Sequence, residues 1–555
     1  MLNEVENQNC WEERYLASEV QNAILMVEIS ALKAEISALK VSNELKDEKI
    51  IELNVLNRYY IERLRLAAKR KFCSSSENSA QYSLFNEAEA IAKPDSPEPT
   101  IEEIQTPPVK PRAKKQPGKR DEDFAHLPTE IVVHELSEEE RICECGNRMK
   151  EIGSYPARRE IVIIPAQVKV KQHVAKSYVC SECEKTAANT VIVKAPIPEP
   201  VIKGSATSPS AVAYVMNQKY VMSNPLYRIE QEFDRSGINI SRQTMANWMI
   251  KSSESWLESI YAYMKDEMLT NAFLHADETT LQVLEEAGRL ATSKSYMWLY
   301  RTTGTALRPV VLYEYTETRE AIHPKTFLKG WKGYLHTDGY EGYHTLPEED
   351  ITIVGCWTHV RRKFDDALSG MTAEERLSSK AFIGFEYCNQ LFKLEREFEK
   401  MTPEERHKNR LEKSLPIVFE FFDWAENLLF LPKSLLGTAI TYAVNQKKYL
   451  LNFLLDGNLE LSNNRAERSI KPFVMGRKNW MFSKTPEGAR ASAVIYSVIE
   501  TAKENNLIPF EYLKFLFEQL PNATSKQIPS LLPWGEAVPD YCKNPKKLPP
   551  SQIRT

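Results

Sequence analysis

A seven-residue repeat, EISALKA followed by EISALKV over residues 28–41, places Ile29, Leu32, Ile36 and Leu39 at alternating steps of three and four. That is the spacing of a coiled-coil seam. The register extends to Leu25 before the repeat and to Ile50, Leu53 and Leu64 after it, with Asn43, Lys46 and Asn57 interrupting. Asn43 falls at an a position, where a polar residue can set register and oligomer state. The stripe therefore predicts self-association; one amphipathic helix packed on its own domain is the alternative. The same helix is expected to run into RYYIERLRLAAKRKF, where Arg58, Arg63, Arg65, Lys69, Arg70 and Lys71 outnumber Glu62. A zipper followed by a basic stretch suits a dimer that grips DNA, whereas a charge run alone is usually a solvated face.

Beyond residue 72 periodicity is lost through an acidic, proline-rich part that ends in KPRAKKQPGKR, which reads as a disordered linker over 73–130. Strand-like runs, REIVII and QVKVKQHV, then lie between ICECGNRM and YVCSEC. Two cysteine pairs flanking strands predict a zinc-ribbon-like domain over 131–200, with Cys143, Cys145, Cys180 and Cys183 as ligands. The first pair is Cys-x-Cys, one residue shorter than usual, so His173 or another group would have to assist. Buried free thiols are the alternative. Residues 201–260 are helical: NPLYRIEQEFDRSGINISRQTMANWM reads as a helix, a turn at Gly237 and a second helix capped by Ser241. This has the form of a helix-turn-helix with Arg242, Gln243 and Asn247 exposed on the second helix, a form that core helical hairpins share.

After Asn271 the period shortens to that of strands: AFLHADETTLQVLE, SYMWLYRT and RPVVLYEYT, a helix over 319–328, then GYLHTDGY and ITIVGCW. Three strands, a helix and a fourth strand is the order of a ribonuclease-H-like sheet. Its first and fourth strands are neighbours, so Asp277 and Asp338 would sit side by side and could share a divalent cation. A third acid, Glu467, stands alone among Arg465, Arg468, Lys471, Arg477 and Lys478 in NNRAERSIKPFVMGRKNW. A surface built only to hold polyanions gains nothing from a carboxylate. Each acid also has a local reading: Asp338-Gly339 as a turn, Asp277 as a strand-end cap, and Asn464 with Glu467 as a capping box for a short helix before Pro472. Three acids at element ends, one of them ringed by cations, point together to a metal site.

Composition narrows the partners. The 555 residues are 42% hydrophobic, enough for several domains. The net charge of −4 excludes a uniformly basic nucleic-acid binder, so any such contact must come from local patches. Neither an apolar leader nor a membrane-length run is visible, and nine scattered cysteines make no disulfide framework, so the expected compartment is the cytoplasm.

HADETTLQV, LHTDGYEGYH, CWTHVRRKF and NNRAERSIKPFVMGRKNWMFS closely resemble the signature blocks of DDE transposases of the insertion sequence 66 family, and IETAKENNLIPFEYL and LLPWG also look familial. The resemblance spans nearly the whole chain. It implies a multi-domain α+β protein: coiled coil (1–72), linker, zinc-ribbon-like domain, helix-turn-helix-like region, a ribonuclease-H-like α/β core over 261–510 with a helical insertion at about 372–455, and a C-terminal segment, 511–555. It matches Asp277, Asp338 and Glu467 to the catalytic acids. Two Mg2+ ions, or Mn2+, would be held there, with Zn2+ at the cysteines. Water would free a 3′-hydroxyl at the element end, which would then attack target DNA. The implied partners are double-stranded DNA (element ends and target), a homo-oligomer through the coiled coil, and small accessory proteins of the same element. No membrane is involved, and the setting is the bacterial cytoplasm and nucleoid. Cys73 stands where the family more often has glycine. Arg361, Arg362, Arg465, Arg477 and Lys478 are the expected phosphate contacts, since guanidinium forks suit phosphate oxygens. Arg242, Gln243, Arg65, Lys69, Arg70 and Lys71 are expected to contact element ends. His359 could orient a phosphate or serve the structure, and Trp480 could stack on an unpaired base or lie in the core. Two rival classes remain: a coiled-coil DNA-binding regulator without catalysis, which leaves the acid-bearing strands without purpose, and a structure-selective nuclease of the same fold.

Overall fold

The computed structural model describes residues 2–72, 167–179 and 192–545, and the chain divides into two compact units. One joins the N-terminal helix to residues 356–457; the other comprises the described residues of 167–355 and 458–545. The cysteines Cys143, Cys145, Cys180 and Cys183, the linker, the REIVII run and the side chains of Arg58, Lys69, Arg70 and Lys71 lie outside what is described.

Helix α1 (Leu2–Phe72) carries the heptad seam. Ile29, Leu32, Ile36 and Leu39 are each about half exposed, at 45%, 56%, 52% and 56%. At its C-terminal end Glu62 accepts the backbone N–H of Leu435 (2.8 Å), and the Arg65 guanidinium meets the Glu375 carboxylate. Arg65, expected on DNA, is thus paired within its own unit.

In the other unit, the expected strand over QVKVKQHV is irregular backbone. A small ladder forms instead between β1 (Ser177–Val179) and β2 (Ile192–Lys194). Helices α2 (Pro209–Met216), α3 (Leu226–Arg235), α4 (Arg242–Ser252) and α5 (Glu258–Met268) follow. The α3–α4 turn has the expected form: Gly237 takes φ 79°, and the Ser241 hydroxyl accepts the N–H of Thr244 (3.2 Å). Arg242, Gln243 and Asn247 are exposed on α4.

Five strands form the main sheet: β3 (Phe273–Gln282), β4 (Lys294–Thr302), β5 (Val311–Thr316), β6 (Gly333–His336) and β7 (Ile351–Val354), in the order 5-4-3-6-7. The first three run antiparallel, and β6 and β7 join β3 in parallel, so the first and fourth strands are neighbours. The connecting helix α6 is shorter than expected, Ile322–Phe327. Its ring Phe327 stacks on Tyr300 at 3.8 Å.

Residues 356–457 are helical, led by α7 (Trp357–Ala367), α8 (Ala373–Ser378) and α9 (Lys380–Glu397). Trp357 packs there against Phe421, Phe422 and Phe453. Arg410, fully buried, forks onto both carboxylate oxygens of Glu395 (2.8 and 2.7 Å).

The chain then returns through α10 (Asn464–Trp480), α11 (Pro486–Glu504) and α12 (Pro509–Gln519). An open sheet edge leaves backbone N–H groups to satisfy, and α11 meets that need. Thr501 accepts the N–H of Val311 (3.0 Å) and Ser497 that of Tyr313 (2.8 Å). Helix α10 runs on through Pro472 and does not end before it. The bond lost there is the one to the carbonyl of Arg468, an exposed residue.

Glu314 on β5 is partly buried, and its Oε2 has no hydrogen-bond partner among the described residues. Burial raises its pKa to about 7, against the pull of Lys265; Tyr261 and Tyr300 also face it. A carboxyl raised in the folded state contributes stability below its ordinary value, and that contribution is lost as pH rises through about 7. Glu314→Gln is therefore expected to stabilise the protein by about 1–3 kcal/mol near pH 8 and by much less near pH 5. Thermal unfolding at the two pH values checks this; an equal gain at both contradicts it.

Candidate active site

Strands β3 and β6 are in register at His275 and His336, whose rings stack with centroids 4.4 Å apart. Side chains two residues on share a strand face. Asp338, two residues past that pair, lies just beyond the end of β6, beside Asp277 on β3. Asp277 itself is mid-strand and not at a strand end as expected, because β3 runs on to Gln282 against β4. Asp277 Oδ1 accepts the N–H of Glu278 (2.9 Å), and Asp338 Oδ1 accepts the N–H of Tyr340 (2.9 Å). The turn reading of Asp338-Gly339 is thus satisfied in the same place as the acid.

The third acid arrives on the first turn of α10, which packs on β3. The capping-box reading is overturned. The N-cap is Asn463 and not Asn464, and the Asn463 side chain does not cap the helix. Asn463 is buried and turned the other way: its Oδ1 meets His275 Nδ1 (2.8 Å), and its Nδ2 donates to the carbonyl of Ala276 (2.8 Å). One turn further on, Ser469 is gripped from β4 and β5, its hydroxyl by the buried Arg301 and its carbonyl by the Tyr313 hydroxyl. Arg301 is anchored in turn by Glu504 (3.1 Å). Glu467 therefore sits between two clamps, Asn463 and Ser469, both tied to the strands that carry or flank the aspartates.

The charges of the other two acids reach Asp277. Burial pushes the Asp277 carboxyl well above the usual range, and the charges of Glu278, Asp338 and Glu467 push it further. Glu278 is raised as well, first by burial and then by Asp338, although its partners oppose the rise. Those partners are the Arg319 guanidinium (2.8 Å from Nε) and the Tyr343 hydroxyl (2.6 Å). Arg319 also lies over the Tyr340 ring at 3.8 Å. The cluster thus concentrates negative charge in a half-buried place, the condition that a hard divalent cation relieves, and its all-oxygen donor set fits Mg2+ or Mn2+.

Behind the acids, Glu460 links the two histidines. Its N–H donates to His336 Nε2 (3.2 Å), and its carboxylate lies 3.7 Å from His275 Nε2 and 2.6 Å from Arg465 Nε. Burial alone would raise Glu460, yet the nearby His275 ring and the hydrogen-bonded Arg465 guanidinium hold it well below the carboxylate range. Arg465, an expected phosphate contact, is engaged here. Arg477 donates to the hydroxyls of Thr279 and Thr280 (3.2 Å each) and is half-buried, while Lys478 is exposed. Arg361 and Arg362 belong to the other unit, where Arg361 bonds Asn389 (2.7 Å) and stacks on Phe385. Half-buried His359 is on the same helix.

Sequence reasoning missed Glu278, Arg319, His275, His336, Asn463 and Glu460. The doublet Asp277-Glu278 was in plain view, whereas nothing local marks Glu460, whose role comes from a turn that folds back onto β6.

A family model described as "Transposase IS66 family" matches residues 204–491, more than half of the chain. Further models match residues 497–534 ("IS66 C-terminal element"), 140–184 ("zinc-finger binding domain of transposase IS66") and 60–132 ("Transposase C of IS166 homeodomain"). Among curated relatives, the uncharacterized protein y4qI of Sinorhizobium fredii (strain NBRC 101917 / NGR234) is 27% identical over 94% of this chain and 95% of its own length. The uncharacterized protein y4jD of the same organism is 28% identical over 74% and 80%. With a family model over more than half of its length, the chain belongs to the IS66 transposase family.

Proposed function

We propose that this chain cleaves DNA at the ends of its element and joins them to target DNA through a DDE site on a ribonuclease-H-like sheet, with Asp277, Asp338 and Glu467 as the catalytic carboxylates. The observation that carries this reading is geometric: the parallel register of β3 and β6 at His275 and His336 sets Asp277 beside Asp338, and the helix whose first turn holds Glu467 packs on β3, although these acids are 61 and 190 residues from Asp277 in sequence. The sheet order, with the first and fourth strands adjacent and the third acid on a following helix, supports the fold assignment.

The three carboxylates would hold two divalent cations, Mg2+ or Mn2+, which supply Lewis-acid activation and charge neutralisation for in-line phosphoryl transfer. The chain's own residues do the rest. His275, Asn463 and Glu460 keep the β3 carboxylate and the start of α10 in fixed relation. Arg319 holds Glu278, so that this fourth acid is bound to a protein cation. Water and then the freed 3′-hydroxyl are the attacking groups, so no protein nucleophile is needed. Exposed Lys478, Arg468 and Lys471 on α10 offer phosphate contacts.

The exposed seam of α1 would pair two or more chains, and exposed Arg242 and Gln243 would read element ends. Lys69, Arg70 and Lys71, and a Zn2+ held by the four cysteines, belong to the same end-binding half of this reading, whereas Arg65 is engaged by Glu375. Small accessory proteins of the element are further expected partners. Among the described residues no helix is long and apolar enough to cross a membrane. The proposed setting is the bacterial cytoplasm, at the nucleoid.

Incubating the full chain with Mg2+, labelled duplexes carrying the repeats that flank its gene, and a target plasmid is expected to yield joined products. Cutting without joining would favour a nuclease, and binding without either reaction a regulator.

A further inference from the structure

Helix α10 ends in an unusual turn. Met481 has φ 67° and ψ −50°, and the N–H of Phe482 donates to the carbonyl of Trp480 (2.9 Å). Together these describe the γ-turn of positive φ, a rare and strained form, here with a side-chain-bearing residue at its centre. Such strain persists only where the surroundings over-determine it, and it concentrates at working sites. The surroundings do so here. Trp480 packs edge-on against Phe473 at 5.6 Å, with the Lys219 ammonium 5.3 Å above its ring. On the other side Ser483 donates to the carbonyl of Gln282 (2.9 Å) and accepts the N–H of Leu284 (3.1 Å). The turn is clamped at both ends, yet the side chains it carries are in solvent: Met481 is 68% exposed and Phe482 43%.

The tip lies at the end of two tracks that begin at the acids. Along α10, Glu467 to Met481 is about 21 Å at 1.5 Å per residue. Along β3, Asp277 to Gln282 is about 17 Å at 3.3 Å per residue. The outer face of α10 between acid and tip is basic: Arg468, Lys471 and Lys478 are exposed and, at 3.6 residues per turn, fall within about a quarter turn of one another. Two apolar side chains are far too little for a stable protein interface, which needs about 1,000 Å2. A cationic stripe leading to them suits a polyanion with an apolar interior, which is a DNA duplex.

We propose that Met481 and Phe482 form a wedge that enters the base stack of the element-end duplex about six base pairs from the phosphate at the carboxylates, taking 3.4 Å per step. Apolar wedges partly unstack a base step and kink the duplex, which would open the end for cleavage. Trp480 is the wedge's packed base and does not stack on DNA. The inference rests on the function proposed above for the acids.

The test uses the full chain and duplexes of the flanking repeats with 2-aminopurine at successive positions, first without divalent cations. Wild-type protein is expected to brighten the reporter at about the sixth pair and to leave the others dim. Met481→Gly/Phe482→Ser relieves the backbone strain and removes the wedge, so it should fold and bind but leave that reporter dim. With Mg2+ its strand transfer should fall at least about tenfold on paired ends and recover on ends mismatched at that pair. Met481→Leu/Phe482→Leu should keep both signals. A wild-type protein that leaves every element-end reporter dim overturns the wedge, as does one that brightens only a labelled target duplex, or a glycine-serine variant that joins paired ends at the wild-type rate. If wild type brightens the reporter but reacts with neither duplex, the proposed chemistry fails and the wedge stands.

Discussion

Alanine at Asp277, Asp338 or Glu467 is expected to lower Mg2+-dependent cleavage and joining by at least about a thousandfold, the loss of about 4 kcal/mol of transition-state stabilisation. Duplex binding should be unchanged, because each acid supplies metal-binding charge and repels phosphate. Glu467→Gln is the sharpest of these variants. The structure narrows the ambiguity that the sequence left: the N-cap is Asn463 and not Asn464, so Asn464 and Glu467 do not stand at the two positions of a capping box. An unaltered melting temperature with lost strand transfer would assign the defect to the missing charge. Normal strand-transfer rates in Glu467→Gln would remove Glu467 from the site and leave Glu278, the acid next to Asp277, as the group to test.

A second large effect is expected at the N-terminal helix. Leu32→Lys with Leu39→Lys places two charges per chain in the exposed seam, hence four in a dimer. Burying a leucine contributes about 1.5–3 kcal/mol, so the association should weaken by at least about 5 kcal/mol, more than a thousandfold in dissociation constant. Light scattering of the double variant should show a smaller particle than the wild type. An unchanged particle would move the assembly interface away from α1. The helix itself should survive, since its seam is already in solvent within one chain.

Much of the fold was legible because its signals are local. The heptad seam, the α3–α4 turn with Gly237 at positive φ and Ser241 as cap, and the strand order that makes β3 and β6 neighbours all follow from periodicity and turn chemistry acting within a few residues. The three acids were also marked, Asp338 by an apolar strand that stops before it and Glu467 by the cations around it, whereas Asp277, expected at a strand end, lies mid-strand in β3. QVKVKQHV misled for the opposite reason: alternation is a condition for a strand, yet a strand also needs a partner, and among the described residues these have none.

Amino-acid order alone thus determined most of the elements, which family the signature blocks belong to, and which carboxylates to look for. Only the tertiary structure decided how those carboxylates are held. Asn464 and Glu467 have capping-box spacing, but the buried ring of His275 and the Ala276 carbonyl compete for the preceding Asn463, and a hydrogen bond made away from solvent outweighs one made at an exposed helix end. Arg465 and Arg477 read equally well as phosphate ligands until packing brings Glu460 to the first and Thr279 and Thr280 to the second. The strain at Met481 is invisible in sequence, because a positive φ on methionine is dictated by what clamps the turn from both sides, the packing of Trp480 and the pairing of Ser483 with β3, and by nothing in the residue itself.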